Sequence, residues 1–112
     1  MTHEKYQDCI NLCNNCATVC EHCATECLHE NDVQTMARCI ELDRTCAEAC
    51  RSAAAIMAQG SEFAGRFCAV CAEVCQACGE ECKKHPMGHC QDCAEICHEC
   101  AEACREMAGA TV

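Results

Sequence analysis

Three stretches of the chain repeat one spacing without a gap, C-x2-C-x3-C-x2-C-x3-C. The copies are Cys13, Cys16, Cys20, Cys23, Cys27; then Cys68, Cys71, Cys75, Cys78, Cys82; then Cys90, Cys93, Cys97, Cys100, Cys104. Cys9 extends the first copy by one step. Steps of three and four place side chains on one face of an α-helix, where such neighbours stand about 5–6 Å apart between Cβ atoms. Each copy is therefore a ladder of thiols about 20 Å long at 1.5 Å per residue. Ala, Glu, Gln and Arg dominate between the cysteines, and β-branched runs are scarce, which disfavours strands.

A fourth copy is degenerate: Met36, Cys39, Asp43, Cys46, Cys50. An ordinary helical core would place Leu or Ile at such positions. Met36 reads either as a thioether ligand or as a plastic core residue. Asp43 reads either as an inward ligand or as a surface residue on a helix turned so that Leu42 faces in.

Short breaks divide the four ladders. Helices are expected at about 4–28, 32–58, 62–84 and 87–107, within one domain spanning 1–112. Asp32 is the expected N-cap of the second helix and Ser61 that of the third. Gly60 stops the second helix. Lys83 and Lys84 suit the C-terminal end of the third helix dipole. His85-Pro86 breaks the chain before the fourth, and the tail from Gly109 to Val112 is expected to fray. Breaks this short force consecutive helices antiparallel. The fold class is all-α, an up-down-up-down four-helix bundle with a cysteine-lined core.

Hydrocarbon alone makes a thin core here: of 112 residues 19 are Cys, two are Phe, one is Tyr and none is Trp. So many cysteines usually mean a secreted disulfide scaffold. Against that stand the polar start MTHEKYQDC without a signal-peptide core, one Pro, five Gly, and an odd cysteine count. A cytoplasmic, metal-binding protein fits better. No apolar run reaches membrane-spanning length. The net charge of -10 argues against nucleic acid and anionic membrane as partners.

Thiolates suit soft ions, Cu(I) above all. Exchanging one thiol proton for one Cu(I) leaves the interior neutral, whereas uncompensated buried charge is costly. The ceiling is then near one ion per cysteine, or about 15–20 ions per chain. Zn(II) held by four thiolates would leave each site at −2. No cysteine stands beside a base as an activated nucleophile would, so the chain is not read as an enzyme.

The topology gathers Met36, His85, Met87 and His89 at one end, one turn outside Cys27, Cys39, Cys82 and Cys90. Thioether and imidazole are suitable transient ligands for an entrance. Tyr6, Ile56, Met57, Phe63, Phe67 and Met107 read as an apolar plug at the other end. Phe63, Phe67, Val70 and Val74 also form a stripe apart from the thiols, suited to helix contacts or to an oligomer interface. His22 and His98 fall between ladder positions, and His3 is read as a mobile terminal residue.

The repeated ladders, the second-helix pattern MxxCxxxDxxCxxxC and the His/Met end together resemble the bacterial copper storage (Csp) proteins, in their cytosolic branch. The resemblance covers nearly the whole chain. It implies a tetramer of four-helix bundles that binds many Cu(I) ions through core cysteines and loads through the His/Met end. A copper chaperone or a client cuproenzyme is the partner class with which such a store would exchange ions. Two other readings stay open: a Zn- or Cd-sequestering, metallothionein-like protein, and a thiol–disulfide redox module.

Overall fold

The computed structural model describes residues 6–110. His3, the first residues of the expected first helix, and Thr111 and Val112 of the tail lie outside them. The helices are α1 (Gln7–Cys27), α2 (Ala37–Ala58), α3 (Ala64–Lys83) and α4 (Gly88–Ala110). Each packs along two neighbours in cyclic order, α1–α2, α2–α3, α3–α4 and α4–α1. The result is the antiparallel bundle expected from the short breaks, a rod of 48 × 18 × 17 Å. No described helix is long and apolar enough to cross a membrane.

The core is the four ladders turned inward. All nineteen cysteines are buried, with Ala17, Ala47, Ala53, Ala64, Ala72 and Ala101 between them. These small residues let the helix backbones approach and leave the axis to sulfur. Gly79 is one such close point. A Cβ there would lie 3.3 Å from Cys97 Cβ and 3.4 Å from the Ala94 carbonyl on α4. Most acidic residues between the cysteines face solvent, and Asp43 and Glu81 are the buried exceptions.

The helix ends differ from expectation in instructive ways. Asp32 does not cap α2. Its carbonyl accepts bonds from the Thr35 amide (3.2 Å) and hydroxyl (2.8 Å), and residues Val33–Met36 form a 3-10 turn. That tighter turn carries Met36 into the core, fully buried, before the α-helix begins at Ala37. Ser61 is not the cap of α3 either: its Oγ accepts from the Phe63 amide at 3.1 Å in the preceding turn, and the helix starts at Ala64 with Phe63 at its N-cap. Gly60 ends α2 as expected. With φ at 65° it allows its own amide to reach the Met57 carbonyl (2.9 Å) and the Ser61 amide to reach Ile56 (3.4 Å). α4 runs on through Gly109 to Ala110 instead of ending at about Met107 with a frayed tail from Gly109, because Met107 and Ala108 still pack on the core. Gln91 Nε2 donates to the carbonyls of Lys83 (3.2 Å) and His85 (2.6 Å), tying the end of α3 to the start of α4.

Candidate metal centre

All nineteen thiols are free, and they touch in an almost continuous chain. At the end near the α2–α3 turn, Cys104 lies 3.8 Å from Cys9 and 3.6 Å from Cys13. Cys13 leads to Cys100 (3.7 Å), and Cys100 to Cys50 (3.9 Å). Cys50 meets Cys71 and Cys75, each at 3.7 Å, and Cys75 meets Cys46 at 3.6 Å. Cys97 then joins Cys46 (4.0 Å), Cys16 (3.8 Å) and Cys20 (3.7 Å), and Cys20 reaches Cys93 at 3.7 Å.

At Cys93 the chain passes through Asp43. Its Oδ1 accepts from the thiols of Cys78 (3.2 Å), Cys93 (3.3 Å) and Cys82 (3.4 Å), and its Oδ2 faces Cys39 at 3.8 Å. Asp43 is thus an inward slot and not a surface residue, and Leu42 is only half-buried. Burial, the leading cause, pushes its carboxyl up to about 8, so it is largely protonated at neutral pH. Beyond it, Cys82 meets Cys39 at 3.4 Å, Cys39 meets Cys27 at 4.0 Å, and Cys27 meets Cys90 at 3.9 Å.

Several quartets draw one sulfur from each of four residues, all within 4.8 Å of one another. They include Cys13/Cys71/Cys100/Cys104, Cys20/Cys78/Cys93/Cys97 and Cys23/Cys27/Cys39/Cys90. Within a single helix, the contacts that reach 4.0 Å among the described residues span four positions. Examples are Cys16–Cys20, Cys23–Cys27 and Cys71–Cys75. The closest approaches cross between helices, which the spacing along one helix does not reveal.

Burial also acts on the thiols nearest the His-bearing end. It raises Cys27 and Cys90 above the ordinary thiol range, Cys90 to about 11, helped in both by charge on Cys39. Deeper in, S–H···S bonds lead. Cys97 is held up first by its bonds to Cys16 and Cys20, and Cys93 is drawn down first by its bonds to Cys20 and Cys23. A donating thiol keeps its proton and an accepting one sheds it, so the set titrates as one linked system.

The residues expected at the mouth are brought to one end, in different settings. His89 Nδ1 lies 3.5 Å from Cys90, 3.6 Å from Cys23 and 3.9 Å from Cys27. His85 is mostly buried, with its Nε2 on Glu81 Oε2 at 3.0 Å. Met36 belongs to the core, and Met87 packs against it. Two carboxylates here escaped the sequence reading. Glu30 Oε2 accepts from His89 Nε2 at 3.0 Å. Glu81, 8% exposed, holds His85, Lys84 (3.4 Å) and Arg38 (3.6 Å). The Glu81/His85 pair was legible as an i, i+4 spacing. Glu30 and His89 lie on different elements, and no local pattern joins them.

The opposite end departs from expectation in part. Tyr6 and Met57 are buried, and Ile56 and Met107 pack against the core. Phe63 and Phe67 do not plug it. They stand 49% and 42% exposed, in line with Val70 at 54%, because α3 turns its ladder, and not this stripe, to the axis. His22 and His98 are exposed, and His98 pairs with Glu102 at 3.1 Å.

A bundle whose interior is a lattice of thiols is a container for soft cations. The family model described as copper storage protein matches residues 2–109. Among solved structures, the Cu(I)-bound copper storage protein BsCsp3 is 47% identical, with a TM-score of 0.88 over 92% of this chain and 97% of that one. The apo form of copper storage protein 3 from Bacillus subtilis is also 47% identical, with a TM-score of 0.87 over 92% and 98%. A cytosolic copper storage protein from Streptomyces lividans is 36% identical, with a TM-score of 0.91 over 96% and 95%. No curated protein sequence matches the chain. The chain belongs to the copper storage protein family.

Proposed function

We propose that the protein is a cytoplasmic store that takes up about 15–20 Cu(I) ions per chain, a ceiling set by the cost of uncompensated buried charge. The observation that carries this reading is the nearly continuous run of sulfurs at 3.4–4.0 Å from Cys104 to Cys27. If Cu–S bonds resemble the 2.3 Å Zn–S length, trigonal coordination needs sulfurs about 4.0 Å apart and linear coordination about 4.6 Å. Small side-chain rotations within the lattice therefore open a site wherever two or three thiols meet. Tetrahedral Zn(II) fits similar spacings, but four thiolates per Zn(II) would leave charge accumulating along a closed axis. Cu(I) replaces protons one for one.

The ligands in this reading are the nineteen cysteines, with Asp43 inside the lattice and Met36, His85, Met87 and His89 serving entry. The description of the Streptomyces lividans relative as cytosolic supports the cytoplasmic assignment. Phe63, Phe67, Val70 and Val74 form the contact face of a homo-oligomer, a tetramer on the family's pattern. Phe67→Glu should then lower the sedimenting mass. A copper chaperone would deliver the ions, or a client cuproenzyme receive them, at the His/Met end.

Anaerobic Cu(I) titration of the reduced protein against a competing chelator tests the central reading. Saturation at only a few equivalents would sink it. A defined set of intrachain disulfides in protein isolated without air would favour the redox reading instead.

A further inference from the structure

We propose that Glu30 is a positioning residue for copper uptake, holding His89 so that one ring nitrogen faces the outermost thiols. This rests on the reading of the His/Met end as the entrance. Glu30 follows α1, and its amide bonds to the Cys27 carbonyl at 3.2 Å. From there its carboxylate reaches across to α4 and accepts from His89 Nε2 at 3.0 Å. The ring is 13% exposed, and its other nitrogen, Nδ1, stands 3.5–3.9 Å from Cys23, Cys27 and Cys90. Those three thiols and Cys39 form the outermost of the quartets named above.

A neutral imidazole carries one N–H and one lone pair, and the partner of the N–H decides which nitrogen is left to bind a metal. A carboxylate on Nε2 puts the hydrogen there and directs the Nδ1 lone pair at the thiol quartet. An arriving Cu(I) then meets nitrogen and sulfur donors together. The second imidazole is held differently. Glu81 divides its carboxylate among His85, Lys84 and Arg38, so it also ties α2 to α3. Glu30 sits on the short α1–α2 connection, and its bond to His89 joins that connection to α4.

The test uses the full-length, reduced, metal-free chain under anaerobic conditions. Glu30→Gln keeps an oxygen that accepts from Nε2–H, and Glu30→Leu removes it. With 15N-labelled histidine, ring nitrogen shifts should show the Nε2–H form of His89 in the parent and in Glu30→Gln, and a tautomer mixture in Glu30→Leu. Uptake of the first equivalent of Cu(I), given as its acetonitrile complex and followed by thiolate-to-copper absorption, should slow about 10-fold in Glu30→Leu and change less than about twofold in Glu30→Gln, the scale of losing an outer-shell partner. Final capacity should match in all three.

Unchanged ring shifts and unchanged uptake in Glu30→Leu would overturn the proposal. So would equal slowing in both variants with the tautomer intact, which marks a purely structural tie. His89→Ala separates the two levels. If it loads at the parental rate, the entrance reading fails and the proposal with it. If it loads slowly while Glu30→Leu loads normally, only the role of Glu30 is refuted.

Discussion

At the α1–α2 and α3–α4 turns the thiol lattice gives way to imidazole, carboxylate and thioether. At the α2–α3 turn it gives way to Tyr6, Ile10, Met57 and Ala64. The same cysteine spacing runs into both ends, so the difference lies wholly in what terminates it. Imidazole and thioether are donors that bind Cu(I) and release it, and the polar rim tolerates water. The buried phenol and alkyl groups of the other end offer no ligand, its Met57 thioether is sealed in the core, and together they hold the helices by area removed from water. In the proposed function, one end serves exchange and the other closure. A bundle with so little hydrocarbon elsewhere depends on that closure for stability without metal.

Substitutions at the two ends should separate in kind. Met57 is fully buried at the closed end, and Met57→Ala should cost the metal-free protein about 2–5 kcal/mol in denaturant unfolding, as other large-to-small core changes do. Its rate of Cu(I) uptake should stay at the parental value. A slowed uptake would mean that copper also passes that end.

The converse change is smaller in energy and falls on rate. Replacing Met36, His85, Met87 and His89 together by Ala should slow uptake roughly 10-fold or more, the factor that ~1.4 kcal/mol of barrier carries. Most of the capacity should remain, since the thiols are untouched. A large loss of capacity at unchanged rate would make these residues storage ligands and erase the contrast between the ends.

Asp43 lies between the two regions, and its effect is graded by pH. Its carboxyl is raised by burial to about 8 from an ordinary value of 3.8. The folded state therefore holds the proton more tightly than the unfolded chain. The stability this contributes is fully present below about pH 4 and is lost as pH rises through 8. Against Asp43→Asn, the metal-free parent should lose stability across that window with a slope of at most ~1.4 kcal/mol per pH unit. Parallel pH profiles would show that Asp43 is not the group responsible.

The smallest change is expected at Gly79. Adding a methyl group gains about 0.5–1 kcal/mol of helix propensity but presses on Cys97 and the Ala94 carbonyl. Gly79→Ala should leave stability within about 1 kcal/mol of the parent, while a crystal structure shows α3 and α4 moved apart by a few tenths of an ångström. An unmoved α4 would show that the seam has slack.

Much of this was open to a reader of the sequence. Steps of three and four in Cys90–Cys104 can only be one face of a helix, and breaks such as His85-Pro86 leave only antiparallel neighbours. The place of Asp43 in the second ladder left an inward and a surface position both open, and the tertiary structure decided for the inward one. Other features depended on distance in space. The Glu30–His89 bond joins residues 59 positions apart, with no period or motif to announce it. Phe63 and Phe67 look like core residues by hydrophobicity alone. Their exposure follows from the rotation of α3, which is set by the thiol face it must present to three other helices.

Local spacing thus determined the helices, their thiol faces, their antiparallel order and the soft-metal chemistry, because each depends on side chains a turn apart or on a connection too short to do otherwise. Tertiary structure decided the rest: which sulfurs approach to 3.4–4.0 Å across the axis, the four thiols that surround Asp43, and the nitrogen of His89 that faces sulfur. Those depend on the rotation and spacing of whole helices, set jointly by every small residue between the ladders, and no single stretch of the chain contains them.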